Sequence, residues 1–153
     1  MPEIKFLTYE NIPAVLNINN AVQWSWPDEI VKQDLSENSN GEIIYIGAFA
    51  TTTEAPLLGY AVLGQENKAG VLMALLVELR YRRKGIASQL LTAAGECASE
   101  LGFRRLKLRV RKSNYPAMEL YKRMNFKRSG LERLYYADGE DAVIMRADVP
   151  FKI

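Results

Sequence analysis

Val77-Glu78-Leu79-Arg80-Tyr81-Arg82-Arg83-Lys84-Gly85-Ile86-Ala87-Ser88 is the stretch on which the reading of this chain turns. The unbroken apolar run Val71 to Val77 ends here, as expected of a strand covered on both faces. A basic turn with a glycine follows. Ile86, Leu90, Leu91, Ala94, Ala98 and Leu101 then recur at threes and fours, which predicts a helix ended by Gly102 in the C′ position. The first N–H groups of a helix have no internal partners and carry the positive end of its dipole. Gly85 lets an anion approach that backbone, and the consecutive cations Arg82, Arg83 and Lys84 surround it, so the junction suits a pyrophosphate. Each helix-end contribution is only about 0.3–1 kcal/mol, so several donors must act together. The competing reading is a solvated basic turn whose glycine serves backbone geometry alone. Neither the dinucleotide fingerprint G-x-G-x-x-G nor the P-loop G-x-x-x-x-G-K-[ST] occurs.

Upstream, Ile4 to Thr8 reads as a short strand and Tyr9-Glu10-Asn11 opens a helix with Ile12, Val15, Leu16, Ile18 and Asn19 on one stripe. Pro27 fits the first turn of a second helix running to about Leu35, and Ser36 to Gly41 is a polar loop. Ile43 to Ala50 and Leu58 to Gln65 read as strands. Downstream, Leu106, Leu108 and Val110 alternate with Lys107, Arg109 and Arg111, a strand with one apolar and one basic face. Ser113-Asn114 caps a short helix with the stripe Ala117, Leu120, Tyr121 and Met124. Two strands, about Lys127 to Tyr136 and Ala142 to Asp148, flank an Asp138-Gly139 hairpin turn. The order β-α-α-β-β-β-α-β-α-β-β implies an α/β fold, a mixed sheet with helices on its faces.

The bulk numbers bound the function. A length of 153 residues, 48% apolar and 25% charged, suits one soluble domain over 1–153. No apolar run approaches a spanning helix, and Met1-Pro2-Glu3-Ile4 lacks the features of a signal peptide, so a cytoplasmic protein without a membrane partner is expected. The chain has no histidine, which removes histidine triads and the commonest metal ligand; no metal is expected. The sole cysteine, Cys97, falls on the apolar side of a helix and reads as a small buried hydrophobe.

Arg82-x-x-Gly85-x-Ala87 resembles the Arg/Gln-x-x-Gly-x-Gly/Ala motif of the GNAT acetyltransferase superfamily. Arg111-Lys112-Ser113-Asn114-Tyr115-Pro116-Ala117 with Leu120-Tyr121-Lys122-Arg123-Met124-Asn125-Phe126 is similar to the family's R-x-S-N-x-x-A…LY-x-x-x-G/N-F block. Tyr135-Tyr136-Ala137-Asp138-Gly139-Glu140-Asp141-Ala142 with Met145 resembles the YY…EDA-x-x-M ending of N-terminal acetyltransferases of the archaeal and RimI-like type. The resemblance spans about residues 70–147. It implies a GNAT acyl-CoA N-acyltransferase fold, a mostly antiparallel sheet splayed at a cofactor cleft, and acetyl-CoA as cofactor. By resemblance, Leu75, Leu76 and Val77 offer backbone groups to pantetheine, Arg82, Arg83, Lys84, Gly85, Ile86, Ala87 and Ser88 take the pyrophosphate, and Asn114 and Tyr121 lie near the thioester. Tyr121 matches the tyrosine proposed as the general acid toward the leaving thiolate; a phenol with pKa near 10 is protonated at pH 7. A core tyrosine on the helix stripe is its alternative. Trp24, Ser25, Tyr135 and Tyr136 border the peptide site in the resembled fold, with core packing as the alternative for the aromatic residues, and Glu29 is a further substrate-site candidate.

Two family positions depart. The glutamate proposed as base in RimI-like enzymes is replaced by Arg109, and the histidine or tyrosine of related enzymes by Val71. Arginine stays protonated and cannot serve. The amine then matters. An α-amino group is roughly 10–20% neutral at pH 7, a lysine only about 0.04%, a handicap near 4.6 kcal/mol. An enzyme without a strong base therefore fits protein N-termini, of ribosomal or nascent proteins, better than lysine. Glu29 or water is left for the proton. Arg109 could pair with an acidic substrate side chain or with one of the chain's own carboxylates. A homodimer is a further expectation of the resemblance. Small-molecule amine acetylation and catalytically silent CoA binding are the rival readings. Nucleic-acid binding through Phe103 to Lys112 is a third, which the net charge of +2 disfavours.

Overall fold

The structure, a computed structural model of the chain, describes residues 1–22, 25–36 and 41–151. Its strands are β1 (Glu3–Phe6), β2 (Ile44–Phe49), β3 (Leu57–Glu66), β4 (Ala69–Val77), β5 (Arg105–Arg111), β6 (Lys127–Glu132) and β7 (Ala142–Asp148). The helices are α1 (Ile12–Asn19), α2 (Asp28–Asp34), α3 (Ile86–Glu100) and α4 (Tyr115–Arg123). The strands are hydrogen-bonded in the order β1-β2-β3-β4-β5-β7-β6. The β4–β5 pair is parallel and β1–β2, β2–β3, β5–β7 and β6–β7 are antiparallel, as the mixed, mostly antiparallel sheet required. Among the described residues no helix is long and apolar enough to cross a membrane.

The chain divides into two compact units. The first comprises Met1–Gly64 and Ala74–Ala94. Its helices form for local reasons. Thr8 and Asn11 make a reciprocal capping box around the 3-10 turn Tyr9–Asn11, and Pro13 sits in the first turn of α1, where its missing N–H costs nothing. Pro27 stands one position before α2 rather than inside its first turn. Asn19, grouped with the apolar stripe, is 2% exposed because its amide spans the backbone of Trp26: Nδ2 donates to the carbonyl (2.8 Å) and Oδ1 accepts the N–H (3.0 Å). The core joins Leu7, Val15, Ile18, Val31, Tyr45 and Tyr60.

The Tyr45 and Tyr60 rings stack at 5.8 Å, but their hydroxyls differ in fate. Tyr45 donates to Asp34 Oδ2 at 2.9 Å, whereas the fully buried Tyr60 hydroxyl has no partner. An unsatisfied buried hydroxyl costs about 1–3 kcal/mol. Tyr60→Phe is therefore expected to stabilise the protein by about 1 kcal/mol, a rise in Tm of about 2–4 °C by calorimetry. A lower Tm would show that the hydroxyl is satisfied in solution.

The second unit comprises Gln65–Met73 and Gly95–Ile153. Strand β5 lies beside β7 over its whole length, Arg105 opposite Asp148 to Arg111 opposite Ala142. The alternation read from its sequence holds: Leu106, Leu108 and Val110 are buried, Lys107, Arg109 and Arg111 half-buried. The last hairpin corrects the expectation. β6 stops at Glu132, not Tyr136, and 133–141 form the connection. Leu134 takes a left-handed φ of 53° and gives its N–H to the Asp141 carboxylate. Tyr136 donates to the Glu140 carbonyl and Gly139 to that of Tyr136. Those local bonds consume donors that a longer ladder would need.

A second correction concerns β4. Its start is buried, but Met73 is exposed and Ala74 to Val77 are only half-buried, so the apolar run is not covered on both faces throughout. Cys97, in α3, is half-buried; burial first, and then Glu100, pushes its thiol pKa up and keeps it a protonated hydrophobe.

Candidate active site

In the first unit the end of β4 and the start of α3 are joined by a turn of unusual backbone. Arg83 (φ 63°) and Gly85 (φ 78°) both lie in the left-handed region. Left-handed residues interspersed in a turn aim successive N–H groups inward, an anion-binding concavity. A Cβ on Gly85 would meet nothing within 4 Å, so the glycine is there for its φ and leaves the face open. The Gln89 N–H closes on the Gly85 carbonyl, and the N–H groups of Ile86, Ala87 and Ser88 are the orphan donors of the helix start. Ile86 is buried and anchors the turn; Ala87 and Ser88 are half-buried.

The cations divide their labour. Arg80 pairs with Glu78 at 3.1 Å, and Arg82 Nε donates to the Val77 carbonyl at 3.1 Å. Arg82 therefore clasps the turn to the strand, and the Val77 carbonyl is already engaged. Lys84 lies 5.8 Å from the centroid of the Tyr81 ring. Arg83 and Lys84 have no ion pair among the described residues, so their charge is available to an anion. Gly59 on β3 makes the strand end possible: a Cβ there would stand 2.6 Å from the Leu76 carbonyl oxygen and 3.1 Å from Val77 Cα.

The other early candidates are less involved. Ser25 is exposed, and the Glu29 carboxylate, 86% exposed, lies 3.9 Å from Lys32 in the dipole-favoured first turn of α2. Trp24 lies outside the described residues.

In the second unit, Tyr121 sits on α4 with its ring buried and 5.7 Å from that of Phe126. Burial pushes its phenol up to about 12, with Tyr136 a smaller contribution. Its hydroxyl has no hydrogen-bond partner among the described residues, so its donor is unspent. Asn114 caps α4 through Oδ1, which accepts the Ala117 N–H at 3.3 Å. Only its amide NH₂ is left to donate elsewhere.

The basic face of β5 is neutralised. Arg109 grips Glu66 with two nitrogens (Nη1 3.0 Å, Nη2 2.8 Å) and Glu132 with Nε (2.9 Å). Lys107 also reaches Glu66, at 3.1 Å. Of the two uses open to Arg109, pairing with the chain's own carboxylates is the one present. Its pKa is raised, chiefly by Glu66, so it is further from acting as a base. Arg111 holds Asp138 (3.0 Å) and Glu140 (2.9 Å), and the other Glu140 oxygen accepts the Ser113 N–H. The arginines also carry the two tyrosines: Arg109 lies 5.1 Å from the Tyr135 ring centroid and Arg111 4.0 Å from that of Tyr136. Those rings meet edge to face at 5.0 Å. Tyr135 is exposed, Tyr136 half-buried. Three of the six cations read from Phe103 to Lys112 thus face four carboxylates. Val71 is buried, opposite Lys107 in the ladder.

Glu66, Glu132, Asp138 and Glu140 were not among the sequence candidates. Glu66 pairs with Arg109 across 43 positions. Glu66 is the last residue of β3, and no local motif marked it.

The acetyltransferase (GNAT) family model matches residues 12–126. An N-alpha-acetyltransferase of Saccharolobus solfataricus is 43% identical over 79 residues, 51% of this chain and 47% of the relative. The chain thus spans about half the length of two of the curated relatives it matches. An N-alpha-acetyltransferase of Sulfolobus acidocaldarius is 28% identical over 159 residues, covering 95% of this chain and 91% of the relative. The crystal structure of the ribosomal-protein-S18-alanine N-acetyltransferase from Escherichia coli superposes with a TM-score of 0.82 at 25% identity, covering 97% and 94%. The motif resemblance, the fold and these matches agree: the chain belongs to the GNAT acetyltransferase family.

Proposed function

We propose that residues 1–153 work as one acetyltransferase domain that moves an acetyl group from acetyl-CoA to the free α-amino group of protein N-termini, by direct attack in a ternary complex. The observation that carries the reading is the Arg82 to Ser88 turn, with two left-handed residues, orphan helix N–H groups and two uncompensated cations. That set of donors fits a pyrophosphate. The names of the archaeal relatives and of the Escherichia coli structure support protein N-termini, ribosomal ones included, as the acceptor class.

Acetyl-CoA, when bound, supplies the acyl carbon. The chain's residues do the rest. Backbone N–H groups of Gly85 to Ser88, with Arg83 and Lys84, hold the phosphates. The half-buried Leu75 to Val77 edge offers apolar surface and its remaining backbone groups to the pantetheine arm. The amine's lone pair forms the C–N bond as the C–S bond breaks; the amine's proton passes to water, and the leaving sulfur takes the phenol proton of Tyr121, which water restores. Burial keeps the Tyr121 phenol protonated, so its proton is in place for the leaving sulfur, as a general acid requires.

A panel of peptides varying the first two residues, with N-terminally blocked lysine controls, tests the acceptor. Transfer confined to free N-termini is the expected result. Transfer to blocked lysine peptides would overturn the acceptor class, and CoA binding without turnover would leave a silent binding protein.

A further inference from the structure

We infer that the first unit holds a separate site for a small organic ammonium ion with an apolar body, in a cavity whose lining includes Asp34. The cavity, about 630 Å³, is lined by residues that include Phe6, Tyr9, Leu35, Ile43, Tyr45 and Asp34, and shares none with the phosphate turn. Its volume lies within the range of small-molecule sites, about 300–1,000 Å³. Phe6 and Tyr9 are its exposed aromatic residues, with Leu35, Ile43 and Ile44 among the aliphatic ones. Phe6 and Tyr9 remain 66% and 46% exposed, large apolar groups left beside a concave surface.

Asp34 sets the sign of the ligand. Among the described residues it is the one carboxylate in the lining, and it has no ion pair with another of them. Lys32, on the same helix, pairs with Glu29 instead. Asp34 is also the last residue of α2, where the negative end of the helix dipole disfavours another negative charge. Tyr45 donates to Oδ2 at 2.9 Å, which fixes the carboxylate and leaves Oδ1 to accept from a ligand. Its phenol pKa is raised, by burial first and then by Asp34, so it stays a donor. A fixed carboxylate against aromatic faces recognises a cation twice, by charge and by the ring quadrupole. An uncharged analogue would keep only the apolar contacts.

This inference is independent of the acetyl-transfer reading, because binding is read without turnover. The test is titration of the isotopically labelled full chain with 2-phenylethylammonium chloride, followed by amide chemical shifts, with 2-phenylethanol in matched sodium chloride as the uncharged control. Saturable shifts centred on Phe6, Asp34 and Tyr45 are expected, with the alcohol at least about tenfold weaker. Asp34→Asn, whose side-chain oxygen can still accept from Tyr45, is expected to abolish that preference for the cation. Phe6→Ala, at an exposed position, is expected to weaken the cation severalfold with the fold intact. Equal affinity for the alcohol, an unchanged preference in Asp34→Asn, or no saturable shift up to about 20 mM would overturn the proposal.

Discussion

Tyr121→Phe is expected to lower kcat by about 10²-fold or more without lowering Tm. Positioned hydrogen-bond and proton donors contribute about 10²–10⁴-fold, and a single donor aimed at developing charge about 10²–10³-fold. The absence of a stability cost follows from the same geometry. The ring makes the packing contacts, including that with Phe126, while the hydroxyl has no partner among the described residues to lose. Core tyrosines that lose a satisfied hydroxyl are destabilised by about 1 kcal/mol. The pair of measurements is therefore diagnostic: steady-state kcat with a good peptide, and Tm by calorimetry. Unchanged kcat would remove Tyr121 from the mechanism. A fall in both would show that the hydroxyl serves the core.

The second large effect is on stability. Arg109→Ala removes three hydrogen bonds to two carboxylates and the cation over Tyr135. Breaking a well-formed buried pair from one side costs about 3–5 kcal/mol, but Glu66 and Glu132 are partly exposed and water can take over some of the loss. A loss of about 2–3 kcal/mol is expected, or about 4–12 °C in Tm. Acid sensitivity supplies an independent reading. Arg109 first, then Lys107, holds Glu66 at about 2 against an ordinary 4.5. A carboxyl whose pKa is depressed on folding adds stability that is complete above about 4.5 and is lost as pH falls toward 2, because the unfolded chain binds the proton first. In Arg109→Ala that loss should shrink, with Lys107 retaining a part. Urea midpoints between pH 7 and 3 would show it, and an unchanged acid slope would mean that Arg109 does not hold Glu66 down. Since all three donor positions are engaged within the chain, any loss of transfer activity is expected to be uniform across peptides with acidic and neutral first residues.

Arg109 also accounts for a tension in the chain. A position where the motif resemblance implies a base here carries a cation, and that cation supports Tyr135 while binding Glu132. Arg111 repeats the arrangement one pleat further along, under Tyr136. The pair of arginines and their carboxylates thus braces the 133–141 connection, whose tyrosines stand among the proposed peptide contacts.

The sequence by itself determined the element order and the strand-to-helix junction with its cluster of cations. Those features are written in local terms: a 3.6-residue apolar period after Gly85, alternation along β5, and a glycine where the backbone must turn left-handed. The family followed from short motifs at those same places. Only the tertiary structure decided the electrostatics. Alternation showed that Lys107, Arg109 and Arg111 share a face, but Glu66, 41 and 43 positions away from the first two, carries no local mark of its pairing. Charge pairing depends on register between strands, and register depends on how whole faces are buried. The same reason explains where β6 ends. Tyr135 and Tyr136 have strand propensity, yet Arg111 fixes Asp138 and Glu140, and Asp141 accepts the Leu134 N–H, so the chain turns out of the ladder. Propensity is a property of a segment, whereas the partners that override it arrive from elsewhere in the fold.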